Sequence, residues 1–337
     1  MKERIKWVDW AKTICMFLVI LGHCHLSVQY LFINRIIYSF HIPLFFFLSG
    51  LLCTSKFNHD TFKKDVKLIL IPYITFGMLG IVLTNFLSHT LAPQTLLLNI
   101  YSLLIGLDSS IGAIWFLPAL FVCKQLFHIQ HLSNNNPYIR LSILAISFLP
   151  IYFFNNSRLN LPFFSDSGIC ALPFFCIGNY SSKLCKTILG KSVQTRTTVF
   201  ALLLPLIIFT SQRNGPVVMA ECAYGSSILL YYMNAFMGIL CILLISSIIE
   251  TSIPNIVYIM AYGTIVTLGL HGFLLQILHY YIPVALGCYN STYSIYIALI
   301  YCLIVYFICY FVIIKADCLK IASLFGLRGH IRCQRNP

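Results

Sequence analysis

Three side chains near the amino terminus have types and a spacing suited to chemistry: Asp9, Lys12 and His23, in WVDWAKTICMFLVILGH. Imidazole is the side chain best matched to taking a proton from a hydroxyl near neutral pH. Asp9 and Lys12, three residues apart, share a helix face and can pair. Eleven residues separate Lys12 from His23, close to three helical turns. Both therefore point to nearly the same side, with His23 about 16 Å further along, near or beyond the midplane of a membrane. One helix face then carries a cation near one end and a base deep along it, as the wall of a polar path would. For Asp9 and Lys12 there is a purely structural alternative, since an acid favours a helix start and a lysine can snorkel to the headgroups. An imidazole deep in an apolar span is costly unless partnered, which points His23 to function. His25 falls nearer the outer end.

Two further histidines lie at comparable depth. YSFHIPLFFFLSG puts His41 in the outer half of a second span, level with His23 on an antiparallel neighbour, so the two can share a cavity. Pro43 and Gly50 interrupt that span and permit locally exposed backbone, although close helix packing also accounts for Gly50. His271, in TIVTLGLHGFLL, is flanked by Gly269 and Gly272 mid-span. A satisfied core histidine is the alternative for His41 and His271.

The elements that must hold these residues follow from a ruler of roughly twenty helical residues per span. The sequence predicts an all-α polytopic membrane protein with about ten transmembrane helices and both termini cytoplasmic. The spans fall near 10–31, 36–53, 68–88, 111–128, 141–155, 168–182, 197–211, 225–249, 256–281 and 293–314. Residues 96–107 are too short to cross alone and read as re-entrant or interfacial. Residues 1–314 form one membrane domain, and 315–337 a basic cytoplasmic tail. With no separate soluble domain, any chemistry belongs to residues within the membrane or in short loops.

Composition agrees: 59% of the 337 residues are hydrophobic and 9% are charged, more apolar surface than water tolerates. The net charge of +13 is topological, because the 22 Lys and Arg residues fall between apolar segments and form no basic stripe among aromatics. Nucleic acid is therefore excluded as a partner. Eighteen of the 22 fall on the cytoplasmic side of the ten-span arrangement, as in Lys56 to Lys67 and Lys183 to Arg196. Arg35, Arg158 and Arg213 fall outside, and Lys12 within a span. Most of the fourteen cysteines sit in apolar runs without metal-ligand spacing, so they read as small buried hydrophobes, and no metal is expected. The first apolar run lacks a small-residue cleavage site and reads as a retained signal anchor.

Taken in order, these segments resemble the acyltransferase family 3 membrane proteins, most closely the fucose 4-O-acetylase-like branch. Asp9, Lys12 and His23 match that family's amino-terminal signature of an acidic residue, a basic residue, ten spacers and histidine, with lysine in place of the commoner arginine. SFHIPLFFFLSG, IWFLPALF, YGSSILLYYMNAFMG and YGTIVTLGLH match later motifs, so the resemblance runs from about residue 5 to 275. It implies transfer of an acyl group, usually acetyl from acetyl-CoA as co-substrate, to a hydroxyl of a cell-envelope sugar or glycan, in a bacterial plasma membrane. It also implies Asp9, Lys12 and His23 as the catalytic set, with His41, Trp115 and His271 as substrate-cavity candidates. Lysine offers a phosphate a point charge where arginine offers a planar fork.

Such a reaction suits these positions. His23 can serve as base, and Lys12 can hold a phosphate or the pantetheine end of CoA. Direct transfer in one cavity and an acyl-enzyme relay are both compatible with the sequence. The competing class is a transporter or flippase of lipid-linked sugars, which also uses intramembrane polar residues and broken spans. The ordered motif set favours the transferase.

Overall fold

The computed structural model describes residues 4–53, 58–87, 93–107, 112–132, 136–157, 159–250, 253–287, 290, 292–319 and 321–327. Among these the chain is helical throughout. There is no strand, only isolated bridges between Leu26 and Tyr293 and between Val218 and Ala223. Lipid demands this, because a helix satisfies its own backbone hydrogen bonds. The amino-terminal half holds α1 (Lys6–His23), α2 (Leu31–Leu52), α3 (His59–Asp65), α4 (Ile71–Leu87), α5 (Pro93–Ile105), α6 (Phe116–Leu132), α7 (Pro137–Ile146) and α8 (Pro150–Phe154). Then come α9 (Ser165–Cys170), α10 (Leu172–Tyr180), α11 (Ser182–Leu189), α12 (Val193–Asn214) and α13 (Ile228–Ile248). The last are α14 (Asn255–Tyr262), α15 (Thr264–Gln276), α16 (Ile282–Ala285) and α17 (Ile295–Cys318).

Among the described residues, seven segments are long and apolar enough to cross a membrane: Val28–Leu52, His59–Asn85, Gly112–Ile129, Val193–Asn214, Ile228–Ile248, Thr264–Ala285 and Ile295–Cys318. α1 has the length, but its eighteen residues include Lys6, Asp9 and Lys12. The expected spans at 141–155, 168–182 and 256–281 are helical but interrupted. The breaks fall before Pro150, at Ala171 and at Gly263. A proline cannot donate to the preceding turn, which accounts for the first two. α5 has thirteen residues and rises only about 20 Å. It lies against α4, where the Tyr73 hydroxyl donates to the Leu103 carbonyl at 2.7 Å.

α1 is the hub, packed against α2, α13, α14, α15 and α17. Ala11 and Cys15 on it are fully buried, and small side chains let several neighbours approach one helix. α2 runs unbroken through Pro43 and meets α10 at backbone contact. A β-carbon on Gly50 would sit 2.0 Å from the Phe175 carbonyl oxygen, and one on Gly178 2.1 Å from that of Phe47. Gly50 is thus a packing glycine, and α2 is not interrupted there as the sequence reading allowed. Cys15, Cys24, Cys241, Cys302 and Cys309, all in apolar runs, are buried, and Cys53 is half-buried. Residues beyond α17 fold back: a short 3₁₀ turn at Ala322–Phe325 puts Phe325 5.3 Å from the Phe76 ring of α4. The packed body thus continues to Leu327, past the expected start of the tail. Of the charges used above, Lys2, Lys56, Arg158, Lys320 and the basic residues from Arg328 onward lie outside the described residues.

Candidate active site

α1 carries its chemistry along one face. At its start Asp9 is 5% exposed and accepts a hydrogen bond from Arg4 Nε. The Arg4 guanidinium lies 3.9 Å from the Tyr258 ring centroid and donates to the Tyr258 carbonyl at 3.3 Å. Asp9 thereby fixes the chain start against α14, while its own charge complements the positive end of α1. His23 is the last residue of α1, because Cys24 is extended (φ −70°, ψ 136°). The expected first span, 10–31, therefore stops eight residues early. The polar cluster HCHLS marks that break in the sequence. Tyr293 pins the segment that follows: its N–H donates to the His25 carbonyl at 2.7 Å, and its own carbonyl accepts from the Ser27 N–H at 3.0 Å.

α2 runs antiparallel to α1, with Cys15 beside His41 and Gly22 beside Tyr38. The Tyr38 ring stands between two imidazoles, 5.9 Å from His23 and 4.9 Å from His41, and its hydroxyl donates to the Gly22 carbonyl at 3.2 Å. His41 Nδ1 lies 2.8 Å from the Ile37 carbonyl, so Nδ1 is the donor and Nε2 remains as the acceptor nitrogen. On α15, His271 Nδ1 likewise meets the carbonyls of Thr267 and Leu268 at 3.0 and 2.9 Å. The His271 ring lies 5.1 Å from His23, and its buried Nε2 has no hydrogen-bond partner among the described residues. Four rings thus run in sequence, His41, Tyr38, His23 and His271.

These elements enclose a cavity of about 930 Å³. Arg4, Lys12 and Lys124 line one end, and His23, Tyr38, His41 and Trp115 the other. α2 and α6 run alongside each other, with Phe46 against Phe116 and Cys53 beside His128, and opposite to α1. Lys12 to His23 and Trp115 to Lys124, each two to three turns long, therefore place the cations together and the rings together. Lys124 Nζ bonds Asp65 Oδ1 at 2.5 Å, Gln125 donates to Asp65 Oδ2 at 3.3 Å, and His128 Nε2 is 3.8 Å from that oxygen. Asp65 is 3% exposed, and the cluster stabilises a carboxylate that would otherwise be buried alone. One wall comes from Val218–Ala220 in the loop after α12. Asn214 folds that loop by donating to the Tyr224 carbonyl at 2.9 Å and accepting from the Ser227 N–H at 3.0 Å. The YGSSILLYYMNAFMG motif therefore acts by packing: Tyr224, Tyr231 and Asn234 are fully buried.

A second cavity, of about 480 Å³, lies beyond His23, lined by His25, Thr84, Gln276, His279 and Tyr280 among others. The two cavities share His23 and Gly112. His23 therefore stands where they meet.

Of the residues singled out from sequence, the fold brings Asp9, Lys12, His23, His41 and Trp115 to one cavity. His271 lines neither cavity and backs His23 instead. Sequence reasoning missed Tyr38, Arg4, Asp65 and His279. Tyr38 had a signal, lying three residues before His41 on the same helix face. No local pattern ties Lys124 to Asp65, 59 positions away.

Residues 5–314 match the family described as the acyltransferase domain, acyltransferase family 3, over nearly the whole chain. No curated protein matches the chain, and no solved structure does.

Proposed function

The chain belongs to acyltransferase family 3 and is a multi-pass membrane acyltransferase; on that premise we propose that it moves acetyl from acetyl-CoA to a hydroxyl of a cell-envelope sugar. The observation that carries this reading is the 930 Å³ cavity, with cationic side chains at one end and imidazoles at the other. An acyl-CoA has the matching polarity, with phosphates at one end and a thioester at the far end of a slender arm. Lys12, Arg4 and Lys124 attract the phosphates, and the thioester reaches His23. His23 takes the proton of the acceptor hydroxyl as that oxygen attacks the thioester carbonyl. The C–S bond then breaks, and the departing thiolate takes the proton from the imidazolium, leaving an ester and CoASH. The imidazolium formed in between faces the carbonyl-rich end of α1, which favours positive charge. The motif likeness to the fucose 4-O-acetylase-like branch makes a sugar the acceptor in this reading.

Ten spans with both ends cytoplasmic would put the cationic end of the cavity beside the donor's compartment. Reporters fused after residues 65 and 190 are then expected inside the cell, and after 160 and 288 outside. A cytoplasmic reporter at 288 would sink that arrangement. The function itself is tested with purified full-length protein, labelled acetyl-CoA and a panel of envelope glycans. Acetyl on the glycan is the expected result. Movement of lipid-linked sugar across vesicles without any acylation would replace the transferase by a flippase.

A further inference from the structure

The second cavity has a chemistry of its own. Gly269, Gly272, Gln276 and His279 follow one another at spacings of three, four and three, so they form one stripe of α15 and the π-helical turn Ile277–Tyr281. At the head of this stripe Gly269 packs against the Phe76 ring, 2.3 Å from where a β-carbon would sit, whereas a β-carbon on Gly272 would meet no atom within 4 Å and leaves room above the backbone. His279 is 4% exposed, and its Nε2 has no hydrogen-bond partner among the described residues. Its ring is held by Tyr293 at 4.8 Å, Tyr301 at 5.0 Å and His25 at 5.0 Å. The Tyr293 hydroxyl donates to the His279 carbonyl at 2.8 Å, which fixes the π-turn itself. π-helical turns of this kind recur at functional sites.

No Lys, Arg, Asp or Glu is among the described residues lining this cavity. That contrasts with the first cavity, where Arg4, Lys12 and Lys124 gather. Hydroxyl, amide and imidazole groups on an otherwise apolar wall suit a ligand rich in hydroxyls and without net charge. An isolated carboxylate there would lose hydration with no cation to replace it. The volume lies within the range of small-ligand sites.

We propose that this second cavity is the acceptor chamber, built for a neutral sugar and selecting against acidic ones, with Gln276, His279 and His25 as its recognition groups. The proposal rests on the transferase reading above and adds the acceptor's class and its place. The hydroxyl to be acylated meets His23 from this side, while the thioester meets it from the other.

The test uses full-length protein with labelled acetyl-CoA and matched acceptors, methyl hexopyranosides against the corresponding methyl hexuronides. Neutral glycosides are expected to be acylated with kcat/KM at least about tenfold above the uronides. Gly272→Leu fills the chamber, so it should remove most acyl transfer while acetyl-CoA binding stays at the wild-type level. Gln276→Lys supplies a cation and should narrow or reverse the preference against uronides. Equal use of both acceptor series by the wild type would overturn the neutral class. Wild-type transfer by Gly272→Leu would overturn the chamber. A second readout is free of turnover: neutral glycoside should slow carbethoxylation of exposed His25 by diethylpyrocarbonate in wild type but not in Gly272→Leu. If that protection holds while no acceptor of any kind is acylated, the transferase reading fails and the sugar site stands.

Discussion

His23→Ala should lower acyl transfer by about a hundredfold or more, with the protein still inserted and monodisperse in detergent. The imidazole is the one group that borders both cavities from α1, so in the proposed reaction its loss would remove the base from the place where donor and acceptor meet. Folding should survive, because His23 ends its helix and is only half-buried. The rings of Tyr38 and His271 on either side are held by their own hydrogen bonds. The loss is expected in kcat, with KM for acetyl-CoA little changed, since the proposed phosphate anchor, Lys12, lies about 16 Å from His23. His23→Gln separates the roles. Glutamine keeps hydrogen bonding and much of the volume but accepts no proton near neutral pH, so it should be nearly as inactive as alanine. Near-normal turnover in the glutamine variant would remove the base assignment and leave His23 a packing residue.

Lys12→Ala should raise KM for acetyl-CoA by about tenfold to a hundredfold, the scale of one lost charge-assisted hydrogen bond, with a smaller change in kcat. Arg4, Lys12 and Lys124 are cations lining the large cavity. Of these, Lys12 lies on α1, the helix that ends at His23, so in the proposed reaction it would set the distance between anchored phosphate and reacting carbonyl. Lys12→Arg keeps the charge and adds a planar fork, so it should retain most of the affinity. Raising ionic strength should narrow the gap between wild type and Lys12→Ala, because screening weakens the attraction that the mutation removes. Identical KM values for the alanine variant and wild type would take Lys12 out of donor recognition.

Much of this protein was legible from its residues alone. Hydrophobic runs about twenty residues long, with cationic punctuation, determined that it is helical and membrane-embedded, since lipid admits few other backbones. The register of Lys12 and His23 on one face needed only the helix repeat. The ordered motifs pointed to the acyltransferase family in which the chain falls. Helix ends were less legible: α1 stops at His23 because the chain is captured by Tyr293, 270 positions away, and hydropathy carries no trace of that partner. The motif resemblance and its mid-span position made His271 a substrate-cavity candidate, whereas the rotation of α15 turns it behind His23 and gives the cavity walls to Leu268 and Gly272. The pairing of Asp65 with Lys124, the ring sequence from His41 to His271 and the two cavities meeting at His23 all arise between helices. Sequence periodicity fixes what lies on a helix face. Which faces meet is decided by packing, here by small residues such as Gly50 and Gly178 that let one pair of helices touch at the backbone.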